Sequence, residues 1–227
     1  GKQYDENPIG DFGPHNTWCN PTGTRMYLEV LTVPYVFLAD TARHELVGKV
    51  GPFSRGVRPF TVTDDEKYLF ANVDGLLGFE VGDVASGRMI HRVEAVTPPG
   101  RISQIKNPAA RKPHSTPSHG INLRPHQKEI WVVDAFNQCI HLFDVSVMTR
   151  TVPPKYLTTI RVEQDEPGWI TFGIDRRLGY SSTGDVIDAQ TKQIVATLED
   201  ENGAKVESEK MIELDFAGGK PIRAGNQ

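Results

Sequence analysis

Three side chains that can carry positive charge stand at one repeated position in this sequence. His15, Arg58 and His119 each lie twelve residues before an aromatic residue, and Gly168 has the same spacing in a fourth unit. An imidazole can transfer a proton or bind a metal, and a guanidinium fork suits a carboxylate or phosphate. The shared spacing predicts that they meet, with the two histidines as catalytic candidates and Arg58 as an anion-binding group. The alternative is a polar lining in which the histidines only bind backbone carbonyls.

Two further residues are candidate ligand-binding groups at the same place. Trp169 lies in the equivalent segment of the fourth unit and would either stack on a sugar or aromatic ligand or pack within an inner strand. His114 lies five residues before His119, in a link over 97–117. With His15 and His119 it would supply three imidazoles to a divalent metal ion that activates water. The spacing matches no strong metal motif and no carboxylate is evident nearby, so the metal is one alternative only.

The remaining thiols and imidazoles are interpreted as structural. Two cysteines in 227 residues exclude a disulfide framework, and Cys19 and Cys139 fall in different units, so no bond between them is expected. Both are expected to be buried hydrophobic side chains without a histidine partner. His141 lies on a predicted strand and is expected to be structural as well.

Four similar units position these residues. Each has four short segments rich in β-branched and aromatic residues, separated by turns with Gly, Pro, Asp and Asn, and none keeps a helical period for long. The units cover residues 14–50, 57–93, 118–162 and 168–198, with a partial unit at 206–225. The pattern predicts an all-β chain of four-stranded sheets. Because such sheets cover their faces by stacking around an axis, residues 1–227 are expected to form a single β-propeller domain.

An aspartate ends the third strand of every unit. These aspartates recur at steps of 43, 61 and 44 residues, and the aromatic marks recur at steps of 43, 61 and 49. The aspartates are Asp40, Asp83, Asp144 and Asp188, and the aromatic marks are Tyr27, Phe70, Trp131 and Tyr180. Because a carboxylate at a hairpin can accept backbone N–H bonds, each aspartate is expected to hold the turn that follows it.

Composition limits the functional classes. Hydrophobic residues make up 38% and charged residues 24%, which fits a folded globular domain and excludes wholesale disorder. A formal net charge of -4 argues against general attraction to nucleic acid or to an anionic membrane. No apolar run is long enough for a membrane span, and neither a phosphate-binding glycine loop nor a nucleophile elbow is present.

The order of strands and turns resembles the YVTN-type β-propeller repeat family. The resemblance covers about residues 14–200 and rests on the stretches GPFSRGVRPFTV, LLGFEVGDVASGRMIHRVE, PSHGINLRPHQKEIWVVD and PGWITFGIDRRLGYSSTGDVID. These are similar to bacterial extracytoplasmic members, and such propellers serve as binders, lactonases, lyases and electron-transfer subunits. The resemblance therefore implies a propeller in the periplasm or outside the cell, and it leaves the activity open.

The sequence leaves two alternatives for the number of blades. The four units and the residues outside them would make a closed five-bladed ring, with the fifth blade drawn from both ends of the chain. Relatives in the family usually have about seven blades, within the ordinary range for propellers. A ring of about seven blades needs more strands than this sequence supplies. It therefore predicts either a longer parent protein with further N-terminal blades or a partner subunit that supplies the missing blades.

Two functional classes follow from these residues. The first is a propeller that binds a small anionic or carbohydrate-like ligand at its channel mouth, because no acid–base pair is recognisable beside His15, Arg58 and His119. The second is a lactonase- or lyase-type enzyme in which His15 or His119 acts as acid, base or metal ligand and Arg58 holds the substrate carboxylate. Neither class involves nucleic acid or a membrane span, and the one cofactor that the residues suggest is a divalent metal ion.

Overall fold

The computed structural model describes residues 14–96, 117–164, 166–208 and 211–225. All regular structure in these ranges is β-strand, with 18 strands and no helix, so the all-β prediction is confirmed. Within each sheet, strands that follow one another in sequence pair antiparallel, which gives four four-stranded sheets and one two-stranded hairpin. Among the described residues, no helix has the length and apolar character needed to cross a membrane.

Sheets 1 and 2 come from the first part of the chain and are simple meanders. Sheet 1 contains β1 (Pro14–Cys19), β2 (Arg25–Val30), β3 (Val36–Asp40) and β4 (Glu45–Val50). Sheet 2 contains β5 (Val57–Val62), β6 (Tyr68–Val73), β7 (Gly78–Asp83) and β8 (Arg88–Glu94). Short strands separated by tight turns are what the alternating β-branched and Gly/Asp/Pro-rich segments favour.

Sheets 3 and 4 repeat the arrangement, and a hairpin follows them. Sheet 3 contains β9 (Ile121–Leu123), β10 (Glu129–Asp134), β11 (Cys139–Asp144) and β12 (Lys155–Arg161). Sheet 4 contains β13 (Ile170–Phe172), β14 (Leu178–Ser181), β15 (Asp185–Asp188) and β16 (Ile194–Thr197). The hairpin contains β17 (Leu214–Ala217) and β18 (Lys220–Ala224). The hairpin leaves large apolar side chains exposed, with Phe216 at 60% and Ile222 at 66%.

The first two strands of every sheet pair in the same register. In each sheet one residue of the first strand lies opposite the aromatic residue that marks the second strand. The four pairs are Trp18 with Tyr27, Thr61 with Phe70, Asn122 with Trp131, and Thr171 with Tyr180. The twelve-residue spacing in the sequence therefore places His15, Arg58, His119 and Gly168 at equivalent points, each three residues before its paired position.

The aspartates that end the third strands hold their turns as predicted. Asp40 Oδ1 accepts hydrogen bonds from the backbone N–H groups of Ala42 at 3.0 Å and Arg43 at 2.8 Å. The corresponding carboxylates of Asp83, Asp144 and Asp188 each accept a backbone N–H bond from the turn that follows. The hydrogen bond from Arg43 is the main reason that the pKa of Asp40 lies below its ordinary value.

Three apolar clusters join successive sheets. Buried side chains of sheets 1 and 2 form the first cluster, those of sheets 2 and 3 the second, and those of sheets 3 and 4 the third. In β6, Leu69 and Ala71 pack toward sheet 1 while Phe70 packs toward sheet 3, because alternate side chains of a strand point to opposite faces. This packing brings β1, β5, β9 and β13 next to one another in that order. The described residues show the sheets and their packing, and do not show a closed ring.

Candidate functional site

A cavity of about 200 Å³ lies between the first strands of sheets 1, 2 and 3 and Trp169, which directly precedes β13, and we call it the first-strand cavity. Its wall combines two indole rings, an imidazole, amides, hydroxyls and two apolar side chains. The lining residues are His15, Asn16, Thr17, Trp18, Phe60, Thr61, Ile121, Asn122 and Trp169. A cavity with aromatic surfaces and a few convergent polar groups is the usual form of a small-molecule site.

A second cavity of about 300 Å³ shares Trp18, Thr61 and Asn122 with the first-strand cavity. It extends toward the turns between the first and second strands, where Asp64 and Arg176 line it. The three shared side chains therefore separate two adjoining polar spaces, and they would contact a ligand in either one.

His15 forms a hydrogen bond with the buried carboxylate of Glu29. The His15 Nδ1 atom lies 2.7 Å from Glu29 Oε1, and the two side chains are 30% and 0% exposed. Burial raises the pKa of Glu29, and the hydrogen bond from His15 opposes that rise. An ionised carboxylate only accepts hydrogen bonds, so His15 carries a proton on Nδ1. In the neutral ring Nε2 is then the basic nitrogen, as it is in a histidine oriented by a carboxylate for general base catalysis.

His119 lies beside His15 and is oriented by backbone. The two imidazole centroids are 5.9 Å apart and the rings meet edge to face at 81°. His119 Nδ1 lies 3.0 Å from the carbonyl oxygen of Gly168, which again assigns the proton to Nδ1. Trp169 packs against His119 at 5.7 Å between centroids and is 5% exposed. The structure thus brings His15, His119 and Trp169 together, and of these three His15 and Trp169 line the first-strand cavity.

Residues at one repeated position, within or directly after the second strand of a sheet, support these groups. Glu29, Asn72 and Ser182 each lie two residues after the aromatic mark of their sheet. Asn72 donates from Nδ2 to the backbone oxygen of His119 at 2.7 Å, and Ser182 Oγ accepts the N–H of Gly168 at 2.8 Å. The position therefore anchors the segments that carry the candidate site, in three of the four sheets.

Arg58 is near the same site but already has a partner. Its Nε donates to Asp74 Oδ1 at 2.7 Å, and the two side chains are 24% and 37% exposed. The positive charge of Arg58 also opposes the burial-driven rise in the pKa of Glu29, although less than His15 does. The local charge of Arg58 is thus balanced by two carboxylates, Glu29 and Asp74.

These carboxylates correct one expectation from the sequence. No carboxylate was evident at the site, whereas Glu29 and Asp74 both lie there. The signal for Glu29 was its place two residues after Tyr27, which puts a carboxylate on the same face of β2 as the buried aromatic ring. His114, proposed as a ligand-binding group and as the third metal ligand, lies outside the described residues. The described part of the metal set is therefore the pair His15 and His119, with each Nδ1 engaged as metal-binding histidines usually are.

Comparisons with known proteins do not assign a function to this site. No protein-family model matches the chain, and no curated protein matches it at a significant level.

Proposed function

We propose that this chain is a β-propeller whose first-strand cavity binds a small, uncharged, carbohydrate-like ligand. The observation that carries the proposal is the lining of that cavity, where Trp18 and Trp169 accompany the amides of Asn16 and Asn122. Indole faces stack on the apolar faces of sugar rings, and amides and hydroxyls exchange hydrogen bonds with sugar hydroxyls. Binding of a sugar-sized molecule is what this combination supports best.

The propeller arrangement is supported by sequence order and packing. Four meanders follow one another, successive sheets pack face to face, and β1, β5, β9 and β13 lie side by side. Sheets that bury both faces against their neighbours solve the same packing problem as the blades of a propeller. Resemblance to the YVTN-type repeats adds the expectation of further blades and of an extracytoplasmic location.

Charge favours a neutral ligand over the anionic alternative. Arg58, the residue predicted to hold an anion, is paired with Asp74, and the buried Glu29 carboxylate lies beside His15. A ligand carboxylate at this place would meet two protein carboxylates and would have to compete with Asp74 for the guanidinium. Neutral sugars avoid that repulsion.

The test is a calorimetric and NMR titration of the protein with neutral hexoses and with the matching hexuronates. We expect the neutral hexoses to bind more tightly and to shift the amide signals of Asn16 and Asn122. Thr17→Val, which changes an exposed hydroxyl of the cavity lining, should weaken binding by about threefold to tenfold, the value of one hydrogen bond. Thr22→Val is the matched control, because Thr22 lies in an exposed turn away from the cavity. Equal effects of the two variants, or preferential binding of the uronates, would contradict the proposal.

An enzymatic function is the second candidate, and the His15–Glu29 pair is the observation that favours it. A carboxylate-oriented imidazole can abstract or relay a proton during lactone hydrolysis or uronate elimination, with His119 as the partner acid when its Nε2 is also protonated. Arg58 would neutralise the substrate carboxylate or the developing oxyanion. Turnover of lactones or uronates that is lost in His15→Gln, with the fold retained, would establish this function. If the protein binds hexoses but turns over neither lactones nor uronates, binding is its function and the enzymatic candidate is excluded.

A further inference from the structure

Three chemically reactive side chains meet inside sheet 3, away from the first-strand cavity. Asp134 ends β10 and pairs directly with Cys139 at the start of β11. His141 lies two residues after Cys139, so both side chains point to the same face of that strand. All three residues are 0% exposed. Cys139 thus has a histidine partner, which corrects the sequence-based expectation, and Cys19 is exposed rather than buried.

The three donor atoms are spaced like ligands of one metal ion. His141 Nε2 lies 3.0 Å from Asp134 Oδ2, and Cys139 Sγ lies 3.6 Å from His141 Nε2 and 3.8 Å from Asp134 Oδ2. Around tetrahedral Zn²⁺, with bonds of about 2.0–2.1 Å to N or O and about 2.3 Å to S, ligand atoms lie about 3.3–3.6 Å apart. The observed distances bracket that range without any change of strand register.

Outer hydrogen bonds hold two of the donors in orientation. His141 Nδ1 lies 2.8 Å from Thr159 Oγ1 on β12. Asp134 Oδ1, the oxygen that faces away from the cluster, accepts the backbone N–H groups of Phe136 at 3.0 Å and Asn137 at 2.9 Å. Metal-binding histidines and carboxylates are commonly fixed by such partners.

We infer that Asp134 Oδ2, Cys139 Sγ and His141 Nε2 bind one transition-metal ion, with Zn²⁺ the best match. A thiolate and an imidazole select zinc over calcium or magnesium, which prefer all-oxygen sites. The described residues supply three donors. Asn137 Nδ2 donates to Asp134 Oδ2 at 2.6 Å, so a flip of this amide would turn its oxygen toward the ion. Either that oxygen or a water molecule would complete the tetrahedron. The site would stabilise sheet 3 by joining β10 and β11 around the turn between them.

Binding requires one net proton to leave the cluster. Without a metal, an ordinary cysteine thiol is protonated at neutral pH, and the Cys139 thiol donates its proton to Asp134 Oδ2 at 3.8 Å. When Zn²⁺ binds, the Cys139 thiol loses its proton to solvent and sulfur becomes a thiolate ligand. The His141 proton moves from Nε2 to Nδ1, where the Thr159 oxygen accepts its hydrogen bond. The Thr159 hydroxyl then donates to the Tyr156 oxygen, 2.8 Å away.

The experiment titrates the full chain, stripped of metal by a chelator, with Co²⁺ and then with Zn²⁺. We expect one equivalent of Co²⁺ to produce a thiolate-to-cobalt charge-transfer band, and one equivalent of Zn²⁺ to remove it. Calorimetry in buffers of different ionisation enthalpy should show release of one proton per Zn²⁺ at neutral pH. The thermal midpoint should rise on Zn²⁺ addition.

Variants assign the ligands. Cys139→Ser should abolish the charge-transfer band, whereas Cys19→Ser, the matched change of the exposed cysteine, should leave it intact. Thr159→Val should weaken Zn²⁺ binding by about tenfold to a hundredfold, as loss of an outer partner does. His119→Gln separates this site from the first-strand cavity and should leave the band unchanged. The proposal would be overturned if the folded wild-type protein gave no charge-transfer band. Asp134, Cys139 and His141 would then form only a hydrogen-bonded network. This outcome does not depend on whether the variants fold.

Discussion

Nδ1 of His15 lies 2.7 Å from Oε1 of Glu29, a carboxylate that is fully buried on the second strand of sheet 1. This contact decides which nitrogen of His15 is basic and keeps a negative charge next to the first-strand cavity. Glu29 also accepts a backbone hydrogen bond from Asn16, another residue of the cavity lining. One carboxylate therefore orients two neighbouring residues of the site, and its neutralisation is the most direct probe of the arrangement.

Glu29→Gln should reduce the preference of His15 for the tautomer that is protonated on Nδ1. The amide accepts a weaker hydrogen bond than the carboxylate, by about 1 kcal/mol, so the Nδ1–H tautomer should lose about fivefold in its population ratio. Nitrogen-15 NMR of the His15 ring measures this ratio directly. Glu80→Gln is the control, because Glu80 is also 0% exposed but bonds Arg92 and Ser54 instead. A His15 spectrum that changes equally in both variants would show that Glu29 does not set the tautomer.

Asp74→Asn should increase the affinity for carboxylate ligands. The substitution releases the Arg58 guanidinium from its 2.7 Å contact and removes one negative charge from the site. Because both partners are partly exposed, the gain should be only about twofold to fivefold, as for other solvent-screened pairs, and it should shrink with added salt. Titration with a hexuronate at low and high ionic strength measures it. Glu163→Gln, which neutralises an exposed carboxylate paired with Lys205, should have no effect. Unchanged uronate affinity in Asp74→Asn would remove Arg58 from the site.

Gly120→Ala should destabilise the contact between sheets 3 and 4 and displace Trp169. A Cβ at residue 120 would lie 2.7 Å from both the Gly168 carbonyl oxygen and the Trp169 Cα. Both are backbone atoms, so rotation of a side chain cannot relieve the clash. Overpacking of this kind costs about 1–3 kcal/mol of unfolding free energy. Urea denaturation and tryptophan fluorescence would detect both effects. Gly168→Ala is the matched control, because its nearest neighbour would be Ser182 Oγ at 3.8 Å. Equal stabilities of the two variants would contradict this packing.

In Asp83→Asn, the free energy of unfolding should fall less steeply toward acid pH than it does in the wild-type protein. Burial by itself would raise the pKa of Asp83, but hydrogen bonds from Ser86 and Arg150 more than offset it, so the pKa lies below its ordinary value. An acid with a depressed folded-state pKa stabilises the protein above its unfolded pKa of about 3.9 and loses that contribution as pH falls through the folded value.

Urea denaturation between neutral pH and pH 3 measures this difference. The wild-type protein should be more stable than Asp83→Asn at neutral pH, and the two curves should converge in acid. Arg150→Gln should reproduce part of the loss, because Arg150 contacts Asp83 at 2.7 Å and 3.0 Å. Curves that stay parallel down to pH 3 would exclude Asp83 as a source of the pH dependence.

Local chemistry explains why much of the fold was predictable from the sequence. The hairpin aspartates, exemplified by Asp40, act on N–H groups two and three residues away, so sequence spacing alone specifies their role. The strands follow from β-branched segments between turn residues. The common spacing before Tyr27 and Trp131 placed His15 and His119 at equivalent points because the first two strands pair in one register.

The amino-acid sequence by itself determined the all-β class, the turns and the equivalence of His15 with His119, since these depend on neighbours within a few residues and on a repeated period. Only the tertiary structure decided which charges meet. Glu29 faces His15, Asp74 binds Arg58, and Asp134 meets Cys139 and His141 because strand register and sheet packing choose the partners across strands. A one-residue slip between paired strands would turn Glu29 or Asp134 to the opposite face of its sheet, so these contacts depend on register as well as on spacing.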